Sequence, residues 1–227
     1  MKGGASGGTI ATAINIANVM KKEPQIRRDM VNPYSLCPKN HAYKTRQKSI
    51  KIEFDKFFDT WVGPVFMSSI KTRIVHRSNA LSDNSYGENF DYSEGVMTGK
   101  GFKGKNRARS IYWSLAAFFT GISIAPIRAL LARFVLPKPG EGPSVEDQQN
   151  GFYDFRFVGT TEKGEQILTK VYGDKDPGYG STAKIISQAA VCLAKDVSDE
   201  VKGGFWTPST IMGDKLIERL NAHTGVT

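Results

Sequence analysis

The sequence predicts an α+β fold, a mixed sheet with packed helices and one hydrophobic helical insert. Three observations carry that expectation. Apolar residues recur three and four apart over Ile10–Met20 and again over Met67–Leu81, as on one face of a helix. Tyr153, Phe155 and Phe157 alternate with Asp154 and Arg156 ahead of a Lys163–Gly164 turn and a second apolar run, Gln166–Tyr172, which reads as a β-hairpin. Between these regions, Ile111–Ile127 is seventeen residues without a charge.

Taken in order, the first part (1–94) opens on a glycine loop, Gly3 to Gly8, that runs into a helix. Gly4, Ser6, Gly7 and Thr9 form a candidate cleft or anion loop, because a helix start presents free N–H groups and a positive dipole end. The same Ser6 and Thr9 equally suit a cap. Pro24 and Asn32–Pro38 break the helical pattern, and 39–51 reads as a basic connector. Beyond the Met67–Leu81 helix, Phe90, Tyr92 and Val96 alternate as in a half-buried strand. His76, beside Arg77, reads as a polar surface residue.

The second part (95–140) is a basic and hydrophobic insert. Gly99 to Lys105 reads as a flexible basic loop, and eight Lys and Arg lie between Gly95 and Gly140 with no acid. Pro137–Pro143 is the strongest boundary in the chain. The third part (141–227) holds the hairpin and two C-terminal helices. Ser181 or Thr182 is expected to cap the first, whose Ile185, Ile186, Ala189, Ala190 and Leu193 face inward, with Cys192 as a small core residue. Thr207 at N-cap and Pro208 at N1 start the last, which ends at Gly225.

Several chemistries drop out on counting. A 40% hydrophobic, 23% charged composition excludes a disordered chain, and two cysteines 155 positions apart exclude a disulfide framework. No signal peptide is expected at the start. His41, His76 and His223 have no ligand spacing, so no metal is expected, and no catalytic residue can be named. Gly99-x-Gly101-x-x-Gly104 matches the spacing of a dinucleotide fingerprint, but no acid follows before Glu141 to hold a ribose.

Charge is uneven. Residues 1–140 carry 22 basic and 9 acidic side chains, net +13, and the remainder carries −4. As a helix Ile111–Ile127 would be about 25 Å long, short of a hydrocarbon core of about 30 Å. It is either a buried core or oligomer-contact helix, or one lying on a membrane surface with basic residues at both ends. On the second reading Lys103, Lys105, Arg107, Arg109, Trp113, Phe118 and Phe119 are the candidate lipid-contacting residues. Nucleic acid is disfavoured, since the aromatics sit inside an aliphatic run and do not alternate with the charges.

Six stretches occur in an order that resembles the C-terminal half of a saccharopine dehydrogenase-like oxidoreductase: Gly3–Thr9, Asn32–Leu36, Met67–Leu81, Gly140–Pro143, Asp176–Ala183 and Gly203–Pro208. The resemblance implies an NAD(P)-dependent enzyme of twice this length, whose N-terminal Rossmann domain has no counterpart here. No cofactor is therefore expected in this chain, with NAD or NADP held by the absent domain. It also implies a homodimer surface, and a final helix (Pro208–His223) whose Ile211, Met212, Leu216 and Leu220 need the nucleotide domain or another partner. Within that family the hydrophobic insert fits lipid-linked members better than those acting on amino-acid adducts. That implies an intracellular protein in lipid metabolism, peripheral on a membrane or lipid droplet, with the mitochondrion as one such location. The competing expectation is a non-catalytic structural or interaction subunit of a larger assembly.

Overall fold

The computed structural model describes residues 6–41, 45–138 and 140–227. The fold is α+β, with about half of the residues helical and two small sheets. Both sheets are antiparallel, which corrects the expectation of a mixed sheet. The chain divides into two compact units, residues 12–135 and the residues up to 11 together with 136–227.

The unit of 12–135 is built on a three-stranded sheet, β1 (Glu53–Asp55), β2 (Thr60–Pro64) and β3 (Gly95–Gly99), with β2 central. Neither β1 nor β2 was visible as a pattern, because strands of three and five residues hold too few alternations to register. The expected strand through Phe90 and Tyr92 is irregular, and pairing begins only at Gly95.

The long helix α4 (Gly101–Ser123) lies across this sheet through Gly104, Ala108 and Ile122, all buried. Here the flexible loop expected over 99–105 is corrected, because Gly101 already belongs to the helix. A Cβ on Gly104 would sit 2.0 Å from the Gly99 carbonyl oxygen, so the helix can approach the strand only with glycine there. The Thr98 hydroxyl closes the junction by donating to the carbonyls of Gly104 and Trp61, each at 2.9 Å.

Pro24 breaks the helical pattern, as expected. It opens α2 (Pro24–Val31) at the first helical position, after α1 (Gly7–Lys22) has ended. Helix α3 (Ser68–Leu81) buries a polar face, with Thr72, Arg73, His76 and Asn79 inside while Met67, Ile70 and Ile74 stay partly exposed. His76 is thus a buried residue and not the surface residue expected. The face works because its polar groups are satisfied. Arg73 Nε donates to the Asn32 carbonyl at 3.2 Å, and Asn79 bonds Gly87 and Tyr86 at 3.0 and 2.8 Å. His76 Nε2 meets Gln47 Oε1 at 2.6 Å, and its ring lies between Tyr34 and Phe90. Helix α5 (Ala125–Phe134) leaves α4 at a bend of 111°.

In the other unit, α6 (Val145–Asn150) starts on Ser144, whose hydroxyl accepts the Asp147 N–H at 3.0 Å. The hairpin of β4 (Tyr153–Thr160) and β5 (Gln166–Gly173) runs in unbroken register, Tyr153 opposite Gly173 and Thr160 opposite Gln166. Helix α7 (Gly180–Lys195) begins one residue before Ser181 without a side-chain cap, so the expected capping role of Ser181 or Thr182 is corrected. Their hydroxyls instead bond Tyr153 and the Pro177 carbonyl. The last helix is two, α8 (Pro208–Ile211) and α9 (Gly213–His223), parted at Gly213 with φ of +49°.

Cys192, Met212 and Leu216 form this unit's buried cluster, with Ile211 and Leu220 packed on it. The apolar stripe expected to await a nucleotide domain is therefore covered, and α7 covers it. Ile186 and Leu193, expected inside, are more than half exposed because α7 turns its Ala189 and Cys192 side to α9. Arg219 of α9 clamps Asp196, donating from Nη2 to Oδ1 at 3.0 Å and from Nε to Oδ2. That guanidinium bond holds the Asp196 carboxyl below its usual range.

Candidate functional site

In the unit that includes 136–227, the starts of two helices stand beside one short loop. Ser6 precedes α1 and is buried. Its hydroxyl accepts the Thr9 N–H at 3.3 Å and lies 3.1 Å from Thr9 Oγ1, while the Gly7 N–H donates to the Glu141 carbonyl at 2.9 Å. The helix start is thus capped by Ser6 and stitched to the 140–142 loop. Gly4, the remaining member of the expected anion loop, lies outside the described residues.

Gly142 lies inside this corner. A Cβ there would lie 3.6 Å from Tyr179 Cε2 and 3.7 Å from Ser6 Cβ, so the Tyr179 ring and Ser6 flank the glycine. Tyr179 stands immediately before α7, and its side is 45% exposed. Asp176 holds it there. The carboxylate Oδ2 accepts the Tyr179 N–H at 2.7 Å, the Asp176 carbonyl accepts the Ser181 N–H at 2.8 Å, and the Asp176 N–H donates to Gln148 at 3.1 Å. Asp176 is 1% exposed, and its Oδ1 has no hydrogen-bond partner among the described residues. Chemically the corner offers two positive helix ends, a buried carboxylate and one accessible phenol. Asp176 and Tyr179 were legible only as a motif. An aspartate shortly before a helix start is the available signal.

The expected lipid-contacting residues lie in the other unit, on or beside α4, and the structure separates them. Lys103, Arg107, Arg109 and Trp113 are exposed, Trp113 at 66%. Lys105 lies over the Trp61 ring at 4.8 Å. Phe118 is half-buried and packs edge-on to Phe66, and Phe119 stacks on Phe66 with centroids 5.5 Å apart and planes 7° from parallel. A shallow groove of about 530 Å³ runs along β3 and α4, lined by Val96, Met97, Gly99 and Arg107 among others.

The glycines of Gly99-x-Gly101-x-x-Gly104 do stand between a strand and a helix. A dinucleotide site needs that junction in a parallel βαβ unit, and β3 lies in an antiparallel sheet with no acid following. Helix–strand packing accounts for the spacing, so these residues do not fit NAD or NADP. Among the described residues no group of three His, Cys, Asp or Glu could hold a metal ion. Burial raises the Cys192 thiol above its ordinary range, and bonding to Asp196 adds to this, which suits a core residue and not a nucleophile.

The fold and site define an α+β chain with a two-helix corner and, among the described residues, no dinucleotide-type glycine loop. The comparisons add relatives. The chain is 33% identical, over 97% of its length, to a protein of Mycobacterium tuberculosis named as a trans-acting enoyl reductase. It is 32% identical over 98% of its length to the trans-acting enoyl reductase of Mycobacterium ulcerans, and 31% identical over 95% to that of Mycobacterium bovis. It spans about half the length of these curated relatives, 54–55%. No family description matches the chain, and no solved structure matches it. The relatives' name overturns the saccharopine dehydrogenase-like assignment and the function that was built on it. The descriptions built on that resemblance fall with it, and nothing in the comparisons supports a lipid-droplet or mitochondrial placement.

Proposed function

We propose that this chain is the substrate-side portion of an enoyl reductase that acts in trans. The observation that carries the reading is end-to-end similarity: nearly the whole chain aligns, at 31–33% identity, with proteins bearing that name. Reducing an enoyl group delivers a hydride to the β-carbon, places negative charge on the carbonyl oxygen and adds a proton at the α-carbon. No hydride step belongs to the described residues. Any NAD or NADP would be held outside them, on a partner or in the length that the relatives have beyond this stretch.

What this chain supplies in the proposal is the oxygen end. Tyr179 donates its phenolic hydrogen to the substrate carbonyl, where charge develops, with Asp176 anchoring the Tyr179 backbone N–H and Gly142 leaving room beside the ring. A fixed donor at such an oxygen is worth about 10²–10³ in rate.

The test is a chimera in which this chain replaces the matching part of the Mycobacterium ulcerans relative, assayed for a saturated product from a short 2-enoyl thioester with reduced nicotinamide. The native relative serves as positive control. Turnover is expected in the chimera, with a loss of about 100-fold in Tyr179→Phe. A chimera folded by circular dichroism that forms no saturated product sinks the proposal, and undiminished Tyr179→Phe turnover sinks the role of the phenol.

A further inference from the structure

The α4–α5 corner exposes apolar residues where a helix pair ordinarily hides them. Gly121 receives Leu131 on the inner side of the bend. Ile127 also faces Gly121, and on the outer side Leu130 and Phe134 form a stripe of α5, four positions apart. Leu130 is 60% exposed, and Phe134 and the following Val135 are each 69% exposed. Scattered surface leucines need no explanation, but a contiguous helical stripe does.

Charge around the stripe identifies what covers it. The end of α1 reaches this corner. Lys21 donates to the Ser123 carbonyl, and Arg128 donates to Asn18 Oδ1 at 2.9 Å and to Ile122 at 3.1 Å. Lys22 and Arg133 remain exposed, Arg133 with its guanidinium 5.4 Å from the Phe134 ring centroid. Glu23, next to Lys22, is the sole acid adjoining these residues in sequence, and none lies between Glu94 and Glu141. A second copy of the chain would bring the same basic rim to the interface, with no acid between Glu94 and Glu141 to meet it. An apolar stripe edged by Lys and Arg fits the interface of an anionic bilayer.

We infer that the α4–α5 corner docks on an anionic phospholipid surface, with Leu130 and Phe134 entering the acyl boundary and Lys22 and Arg133 meeting the headgroups. Among the described residues no single helix is long and apolar enough to cross a membrane, and the bent pair of α4 and α5 passes on length and composition only when taken together. This inference stands on the exposed residues and is independent of enoyl reduction.

Flotation of the full chain tests it, using vesicles of phosphatidylcholine alone and with 30% phosphatidylserine at 0.1 and 0.5 M salt. The chain is expected to float with the phosphatidylserine vesicles at low salt, and to lose most of that binding at high salt. Leu130→Ser with Phe134→Ser, both exposed positions, should abolish flotation with circular dichroism unchanged. Lys22→Glu with Arg133→Glu should weaken partitioning at least tenfold. No flotation of the wild type, equal flotation of the apolar double variant, or a dimer that this variant dissociates would each overturn the proposal, the last by showing a protein partner instead.

Discussion

His76 shows how a single side chain can be misassigned by its neighbours in sequence. Next to Arg77 it looks like a solvated base, yet it lies under Tyr34 and Phe90 with Gln47 on its Nε2. Burial disfavours the imidazolium. Its pKa is therefore lowered from the ordinary 6.5, chiefly by desolvation and further by His41, with Asp91 opposing. The sign follows from linkage. The unfolded chain binds the proton more readily than the folded one, so the contribution of His76 is fully present above pH 6.5 and is lost as the pH falls through the lowered folded value. Urea unfolding at pH 5 and pH 7 should show a drop at acid pH that is smaller in His76→Gln. An identical drop in both proteins would place the acid sensitivity elsewhere.

At the scale of elements, caps and close approaches set where helices begin. Thr207 and Thr210 form a reciprocal capping box at α8, with the Thr207 N–H donating to Thr210 Oγ1 at 3.1 Å. Thr207→Ala is expected to cost about 1 kcal/mol in denaturant unfolding, because it removes the side-chain half of the box and leaves the Thr210 N–H only the Thr207 carbonyl, at 3.0 Å. A loss below a few tenths of a kcal/mol would show that Pro208 alone suffices. The α3 face makes the complementary point. Its apolar positions were read correctly as one side of a helix, but the buried side is the one carrying Thr72, Arg73 and Asn79, because 32–36 and 86–90 supply partners for them.

Across the whole molecule each compact unit has its own buried residues, Val62, Ala108 and Ile122 in one and Cys192, Met212 and Leu216 in the other. Leu216→Ala removes most of a side chain from a small cluster, at an expected cost of about 2–5 kcal/mol. In amide hydrogen exchange the added opening should concentrate in α7 and α9. A uniform rise reaching β2 and α4 equally would show that the two units open as one. The division also bears on charge, because the acid-free 95–133 stretch and its exposed apolar stripe belong to a single unit.

Local chemistry made much of the outline legible before any coordinates. The hairpin, the Thr207–Pro208 helix start and the core position of Cys192 follow from turn residues, capping and period, which act over a few neighbours. The Ser6–Thr9 cap was one of two readings, and the bonds that Ser6, Thr9 and Glu141 make select it. Other features depend on contacts far apart in sequence. Gly99-x-Gly101-x-x-Gly104 has the same spacing in a nucleotide loop and in a tight helix–strand junction; the missing acid argued against the first, and the antiparallel neighbour of β3 shows the second. Tyr179 gains its setting from Gly142 and Ser6, 37 and 173 positions away, and no local pattern encodes such a meeting. Periodicity says which side of a helix is apolar, and the partners that long-range packing brings to it say which side is buried.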